Sequence, residues 1–99
     1  MSLVSVIIPY FKKKEFIFSC VNSILKQTYQ NFEIIIVNDE CSDDSRLILK
    51  EIVNLDSRIK VINNRNNLGP GLSRNIGIKK SKGKFLAFIM RMMNGVVVN

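Results

Sequence analysis

Short apolar bursts alternate with longer stretches of helical spacing from one end of the chain to the other. The first burst, Leu3–Pro9, reads as a strand that Pro9 ends, because proline has no N–H for a sheet ladder. A polar and aromatic turn, Tyr10–Lys14, follows. Over Glu15–Gln27 the residues Phe16, Ile17, Cys20, Val21, Ile24 and Leu25 recur at helical spacing and form one apolar stripe. Thr28–Asn31 turns the chain into Phe32–Asp39, where Ile34 to Val37 is an unbroken β-branched run. Such a run suits a strand covered on both faces, as in the middle of a parallel sheet. Ser42 or Asp43 then suits the N-cap of a helix over Asp44–Asn54, with Leu47, Ile48, Ile52 and Val53 facing the sheet. Arg58–Asn63 is a third short strand and Asn64–Gly71 a polar loop. Pro70 fits a first helical position, and the helix runs to about Lys80 with Leu72, Ile76 and Ile78 inward. Ser81-Lys82-Gly83 turns into a fourth strand, Lys84–Ile89. The alternation β-α-β-α-β-α-β predicts an α/β domain with a parallel sheet and right-handed crossovers. The chain stops soon after the fourth strand, which is therefore expected to present a bare edge unless something covers it.

Composition narrows the class. At 99 residues and 46% hydrophobic, the chain makes one small domain or part of a larger one. Its apolar runs fall far short of the ~20 residues that span a bilayer, and the N-terminus lacks the layout of a signal peptide. A cytoplasmic protein is expected, with attachment of a larger whole to the inner face of a membrane left open. There is no histidine, which excludes Ser-His-Asp and Cys-His mechanisms and histidine metal sites. Cys20 and Cys41 are too isolated for a zinc site or a disulfide framework. The net charge of +7 is concentrated in Lys12-Lys13-Lys14 and in Lys79, Lys80, Lys82 and Lys84. These clusters are compatible with phosphate ligands, nucleic acid, an anionic membrane surface, or plain solvated faces. No aromatic residue alternates with them as a single-strand platform requires, so nucleic acid is not expected.

The residues with candidate chemistry sit where strands end. Asp39 follows the central β-branched run, and ligands of open α/β sheets lie just beyond the carboxyl ends of strands. A carboxylate there either reads a ligand or merely starts a turn or caps the next helix. Asp43 and Asp44 are explained by the helix dipole alone. Gly69-Pro70-Gly71 is not a dinucleotide fingerprint: the third glycine is missing, Arg74 stands in its place, and the motif belongs after the first strand. Arg74, near the start of its helix, suits a phosphate or the face of a base; the alternative is a surface ion pair.

An ordered set of motifs carries further. Val4-Ser5-Val6-Ile7-Ile8-Pro9, Glu15, Ser23 to Tyr29, Phe32 to Asp39, Asn67-Leu68-Gly69, Ser73 to Ile78 and Gly83 to Ile89 follow one another along the chain. Over roughly residues 3 to 89 this set closely resembles the N-terminal half of a family 2 glycosyltransferase of the GT-A type. The resemblance implies a three-layer α/β sandwich. Its four-stranded, mostly parallel sheet is ordered 3-2-1-4, the Rossmann-like half of a GT-A domain. It also implies a nucleoside-diphosphate sugar, usually UDP-linked, at the carboxyl ends of strands one, two and four. By position Pro9, Tyr10 and Phe11 would line the nucleoside pocket and Glu15 would lie near the ribose or base. Asp39 would accept from the imide N–H of the base, and Arg74 would lie against the base or diphosphate.

Three departures stand out. Phe11-Lys12 replaces a usual Tyr-Asn, Glu40 replaces the glycine that usually follows the aspartate, and the metal motif is missing. Where the family places Asp-Ala-Asp-Asp after Phe88-Ile89, this chain has Met90-Arg91-Met92-Met93-Asn94-Gly95. Magnesium or manganese is expected in the complete family enzyme, bridging the diphosphate. Thioethers are poor ligands for either ion, so Met90 and Met92 are expected to bind none. The bases GAT-GCG-GAT-GAT-GAA-TGG encode Asp-Ala-Asp-Asp-Glu-Trp, and one base later they encode Met-Arg-Met-Met-Asn-Gly. Residues 1–89 are therefore read as a nucleotide-sugar-binding half-domain and residues 90–99 as an aberrant, frame-shifted tail; the alternative is a genuine short protein whose Val96-Val97-Val98 serves packing, and sequencing the coding DNA would decide. Without a metal clamp or a catalytic base, the chain itself is expected not to transfer sugar. Self-association through the exposed sheet edge is expected. The rivals are a basic binding module for nucleic acid or an anionic surface, and a folded relic with no activity.

Overall fold

The computed structural model describes residues 2–89 and 96–98. Four parallel strands form the sheet: β1 (Val4–Tyr10), β2 (Phe32–Asn38), β3 (Ile59–Asn63) and β4 (Phe85–Ile89). Helices α1 (Lys14–Lys26), α2 (Asp43–Val53) and α3 (Pro70–Lys80) are the crossovers. A fifth strand, β5 (Val96–Val98), runs antiparallel to β4, and the order is β3-β2-β1-β4-β5. The predicted order of the parallel strands is therefore observed. Of the two alternatives for the edge of β4, the covered one is observed, since β5 pairs with Ala87–Ile89.

Side-chain alternation divides the core between two layers. Val6, Ile8 and Tyr10 of β1 with Ile34 and Ile36 of β2 point toward α1 and α2, where Ile17, Val21, Ile24, Leu49 and Ile52 meet them. Ile7, Ile35 and Val37 point the other way and pack with Ile76 of α3, Ile62 and Phe88. All of β2 is buried, as its unbroken apolar run requires.

Ile48, Ile52 and Val53 of α2 and Ile76 of α3 pack inward as expected, but other apolar residues of these two helices do not. In α2 Leu47 is 63% exposed, whereas Ser45, Leu49 and Ile52 are buried. In α3 Leu72 is 55% exposed, Ile78 is only half-buried, and Ser73 and Gly77 form the inner face. The cause in α3 is close approach: a Cβ on Gly77 would stand 2.5 Å from Cγ2 of Ile7 and 3.3 Å from Cγ2 of Val37. Only small residues fit so near the sheet, and the larger ones are pushed outward.

At the amino ends of the strands a buried carboxylate ties three segments together. Glu33 accepts from Ser5 Oγ (2.6 Å), the Lys82 amide (2.6 Å) and Lys60 Nζ (3.0 Å). Burial opposes its ionisation, but these bonds outweigh that and hold its pKa below the ordinary value. The α3–β4 turn is thereby fixed against the sheet.

Candidate functional site

The order β3-β2-β1-β4 contains a topological switch point. From β1 the chain crosses to β2 and on to β3, then returns to the opposite side of β1 as β4. At such a point the loops leaving adjacent strands diverge to opposite faces and open a crevice beyond the carboxyl ends. Here the order reverses at β1, which lies between β2 and β4; the loop leaving β1 is described, and the segment leaving β4 lies outside the described residues. Phe11 leaves β1 at this end and is 44% exposed, with Lys12 Nζ 5.3 Å from its ring centroid. Pro9 is half-buried on the last turn of the same strand. Glu15 is exposed in the first turn of α1.

Tyr10 lies elsewhere than predicted. Its side chain is 2% exposed and belongs to the core under α1 and α2, so it does not line an open pocket. Its hydroxyl pKa is raised by burial first, then by the negative charges of Glu40 and Glu15. Strand alternation is the reason: Phe11, beyond the strand, is the residue free to turn outward.

Asp39 is 3% exposed, and its carboxylate is occupied from within. Oδ1 accepts from the Leu68 amide (2.7 Å) and Asn64 Nδ2 (2.9 Å), while Oδ2 accepts from the Gly69 amide (2.9 Å). Burial would raise its pKa, but the bonds from Leu68, Asn64, Gly69 and Ser73 outweigh that and keep it lowered. The residue neither caps α2, whose N-cap is Ser42, nor faces open solvent. It fixes the loop that enters α3, where Gly69 sits at φ 88° with no side-chain cap of its own.

A polar layer that sequence reasoning missed surrounds it. Asn38 Nδ2 donates to Asn63 Oδ1 (2.8 Å) and Ser45 Oγ (3.0 Å), and Asn64 Nδ2 donates also to Ser73 Oγ (3.1 Å). Asn38 and Asn63 are register partners at the ends of β2 and β3. The available signal was an asparagine closing two successive β-branched runs. Glu40 is used locally as well: it accepts from the Lys12 amide (3.0 Å) and from Ser42 Oγ. Lys12 and Cys41 adopt left-handed backbone at φ 51° and 63°, so the loops after β1 and β2 are both strained and stapled to each other.

Arg74 is half-buried in the second turn of α3 and makes no ion pair among the described residues. The surface ion pair considered for it is thus not formed among them. A groove of about 380 Å³ runs along the outer side of α3, lined by Leu68, Leu72, Asn75, Ile76, Ile78 and Lys79. It includes neither Phe11 nor Asp39, so the predicted residues and this groove do not coincide.

No group of three or more His, Cys, Asp or Glu side chains among the described residues is placed to hold a metal ion. Met90 and Met92 lie outside the described residues. The donors that Met90-Arg91-Met92 supplies, two thioethers and a guanidinium, do not fit magnesium or manganese.

Comparison with known proteins places this geometry. The model of glycosyl transferase family 2 matches residues 5–89. Glycosyltransferase GlyG of Streptococcus pneumoniae is 37% identical over 88% of this chain, which covers 29% of that protein. WfgD of Escherichia coli, a UDP-Glc:alpha-D-GlcNAc-diphosphoundecaprenol beta-1,3-glucosyltransferase, is 38% identical over 88% of the chain and 34% of its own length. The chain thus spans about a third or less of these relatives. S. aureus TarS in complex with UDP-GlcNAc superposes with a TM-score of 0.76 at 34% identity, over 87% of this chain and 25% of that one. A mannosyltransferase from Pyrobaculum calidifontis, solved with GDP-Man and Mn2+, shares the fold at a TM-score of 0.78 and 16% identity, over 87% of this chain and 26% of its own. With the predicted strand order, the switch point and a family match over nearly its whole length, the chain belongs to glycosyl transferase family 2.

Proposed function

We propose that residues 5–89 bind the nucleotide of a UDP-linked sugar, for glycosyl transfer to a saccharide or other acceptor by a complete enzyme. The observation that supports this reading is the reversal of strand order at β1, with the exposed ring of Phe11 just beyond that strand's carboxyl end. The ring offers a stacking face for a base. Arg74, with no carboxylate partner among the described residues, is available to a diphosphate. Asp39 contributes by holding the Asn67–Gly69 loop, and it meets a base edge directly only if the Leu68 or Gly69 amide gives way. Pro9 shapes the floor and Glu15 lies near the ribose. The uridine preference is supported by TarS, solved with UDP and with UDP-GlcNAc, and by the donor in the name of WfgD.

We further propose that this chain does not itself transfer sugar. Its residues supply recognition of the nucleotide, not a metal clamp or a positioned base, and no step of transfer is assigned to them. Thermal unfolding in the presence of UDP tests the binding reading. A ligand of the folded state at a hundredfold excess over its Kd adds about 2.7 kcal/mol and raises the melting temperature. Phe11→Ala and Arg74→Ala should reduce that rise while unfolding normally without nucleotide. A melting temperature indifferent to UDP overturns the reading, and metal-dependent release of UDP from a UDP-sugar by this chain overturns the claim of inactivity.

A further inference from the structure

The net charge of +7 is unevenly distributed between the two ends of the sheet. Glu15, Asp39, Glu40, Asp43 and Asp44, most of the acidic residues, stand at the carboxyl ends of the strands. They offset Lys12, Lys13, Lys14, Arg46, Arg65 and Arg74 at the same end, whereas at the amino ends cations are in clear excess. Lys79, Lys80, Lys82 and Lys84 surround the α3–β4 turn, and Arg58 and Lys60 open β3. The carboxylates available there are largely spent: Glu33 is buried against Lys60, and Asp56 is paired with Arg58 at 2.8 Å. The four lysines around the α3–β4 turn make no ion pair among the described residues.

The same end exposes apolar side chains. Tyr29, Leu55 and Phe85 are 39%, 49% and 43% exposed, one on each α-to-β connection or just beyond it. Backbone bonds hold these connections together: Val4 to Asn31 (3.0 Å), Lys84 to Leu3 (2.9 Å) and Ile34 to Arg58 (2.9 Å). Arg58 also donates to the Gln30 carbonyl (2.6 Å), and the Tyr29 hydroxyl donates to that of Ser2. They therefore present one braced surface, with Lys84 Nζ 5.9 Å from the Phe85 ring.

We propose that this amino-end surface docks on an anionic lipid bilayer, turning the nucleotide end toward water. Unpaired lysines are attracted by acidic headgroups, and Tyr, Leu and Phe among them gain by entering the acyl boundary. Nucleic acid accounts for the lysines but gives Leu55 nothing. The inference is independent of the nucleotide reading, since no residue is shared.

The test is co-sedimentation of the full chain with phosphatidylcholine vesicles, with and without equimolar phosphatidylglycerol, at low and high salt. Binding should require phosphatidylglycerol and weaken with salt. Replacing Lys79, Lys80, Lys82 and Lys84 by Ser should weaken it by about a hundredfold or more, at roughly fivefold per lysine. The equivalent change at Lys13, Lys14 and Arg46, on the other end, should have a far smaller effect. Because the chain has no tryptophan, Phe85→Trp gives a single reporter, whose emission should shift blue on anionic vesicles while that of Leu72→Trp does not. Equal binding to neutral vesicles, or a blue shift at Leu72→Trp alone, overturns the proposal. So does a salt-sensitive shift with DNA in the absence of vesicle binding.

Discussion

Asp39 illustrates how one side chain is assigned by its surroundings. A carboxylate at a strand end has acceptors and no donors, so it is satisfied wherever amides converge. Here they converge from the loop entering α3. Asp39→Asn keeps the shape but turns a donor toward amides that need an acceptor. It should cost about 1–3 kcal/mol in urea unfolding, the price of an unsatisfied buried bond. If the variant is as stable as the parent, the loop does not depend on this residue. The position was legible in the sequence, because the β-branched run ends there. The partners were not, since Leu68 and Gly69 lie almost thirty residues away and donate through backbone common to every residue type.

At the scale of the element, α3 is governed by distance to the sheet more than by hydrophobicity. Gly77→Ala tests this directly. In an exposed helix the change would gain up to about 1 kcal/mol of helix propensity. Against Ile7 and Val37 it forces overpacking, typically costing 1–3 kcal/mol, so a net loss of about 1 kcal/mol is expected in chemical denaturation. A gain in stability would mean that the helix can retreat from the sheet without cost. The helix itself was readable, with Pro70 at its first turn and an end at Lys80. Its inner face was not, because ranking residues by apolarity favours Leu72 and Ile78, whereas close packing selects Ser73 and Gly77. In α2 Ile48, Ile52 and Val53 pack inward as their spacing predicts, and Leu47 alone stays outside while Ser45 is buried by its bond with Asn38.

Across the whole molecule, the buried and paired carboxylates set the response to acid. Asp39 and Glu33 have lowered pKa values, and Asp56 is held at about 2 by its bonds to Arg58. A folded-state value below the unfolded one contributes stability above the unfolded pKa, near 4, and loses it as pH falls through the folded value. Urea midpoints should therefore hold near neutrality and fall steadily below about pH 4. Asp56→Asn should flatten the part of that fall between about pH 4 and about 2. A midpoint independent of pH in that range would contradict the assignment. Mutual repulsion among the many lysines steepens the same loss once carboxylates are neutralised.

Local signals by themselves determined the element order, the buried central strand, the parallel α/β layout and the family. Each depends on periodicity or on motifs read within a few neighbouring residues. Tertiary structure alone decided that Leu47 of α2 stays outside and which face of α3 turns inward, that Tyr10 belongs to the core while Phe11 is exposed beyond β1, and that Asp39 is held by a distant loop. It also decided that the excess of positive over negative charge gathers at the amino ends of the strands. These outcomes depend on contacts between segments far apart in the chain, where the space left between packed layers, and not the character of one residue, selects the side chain that fits.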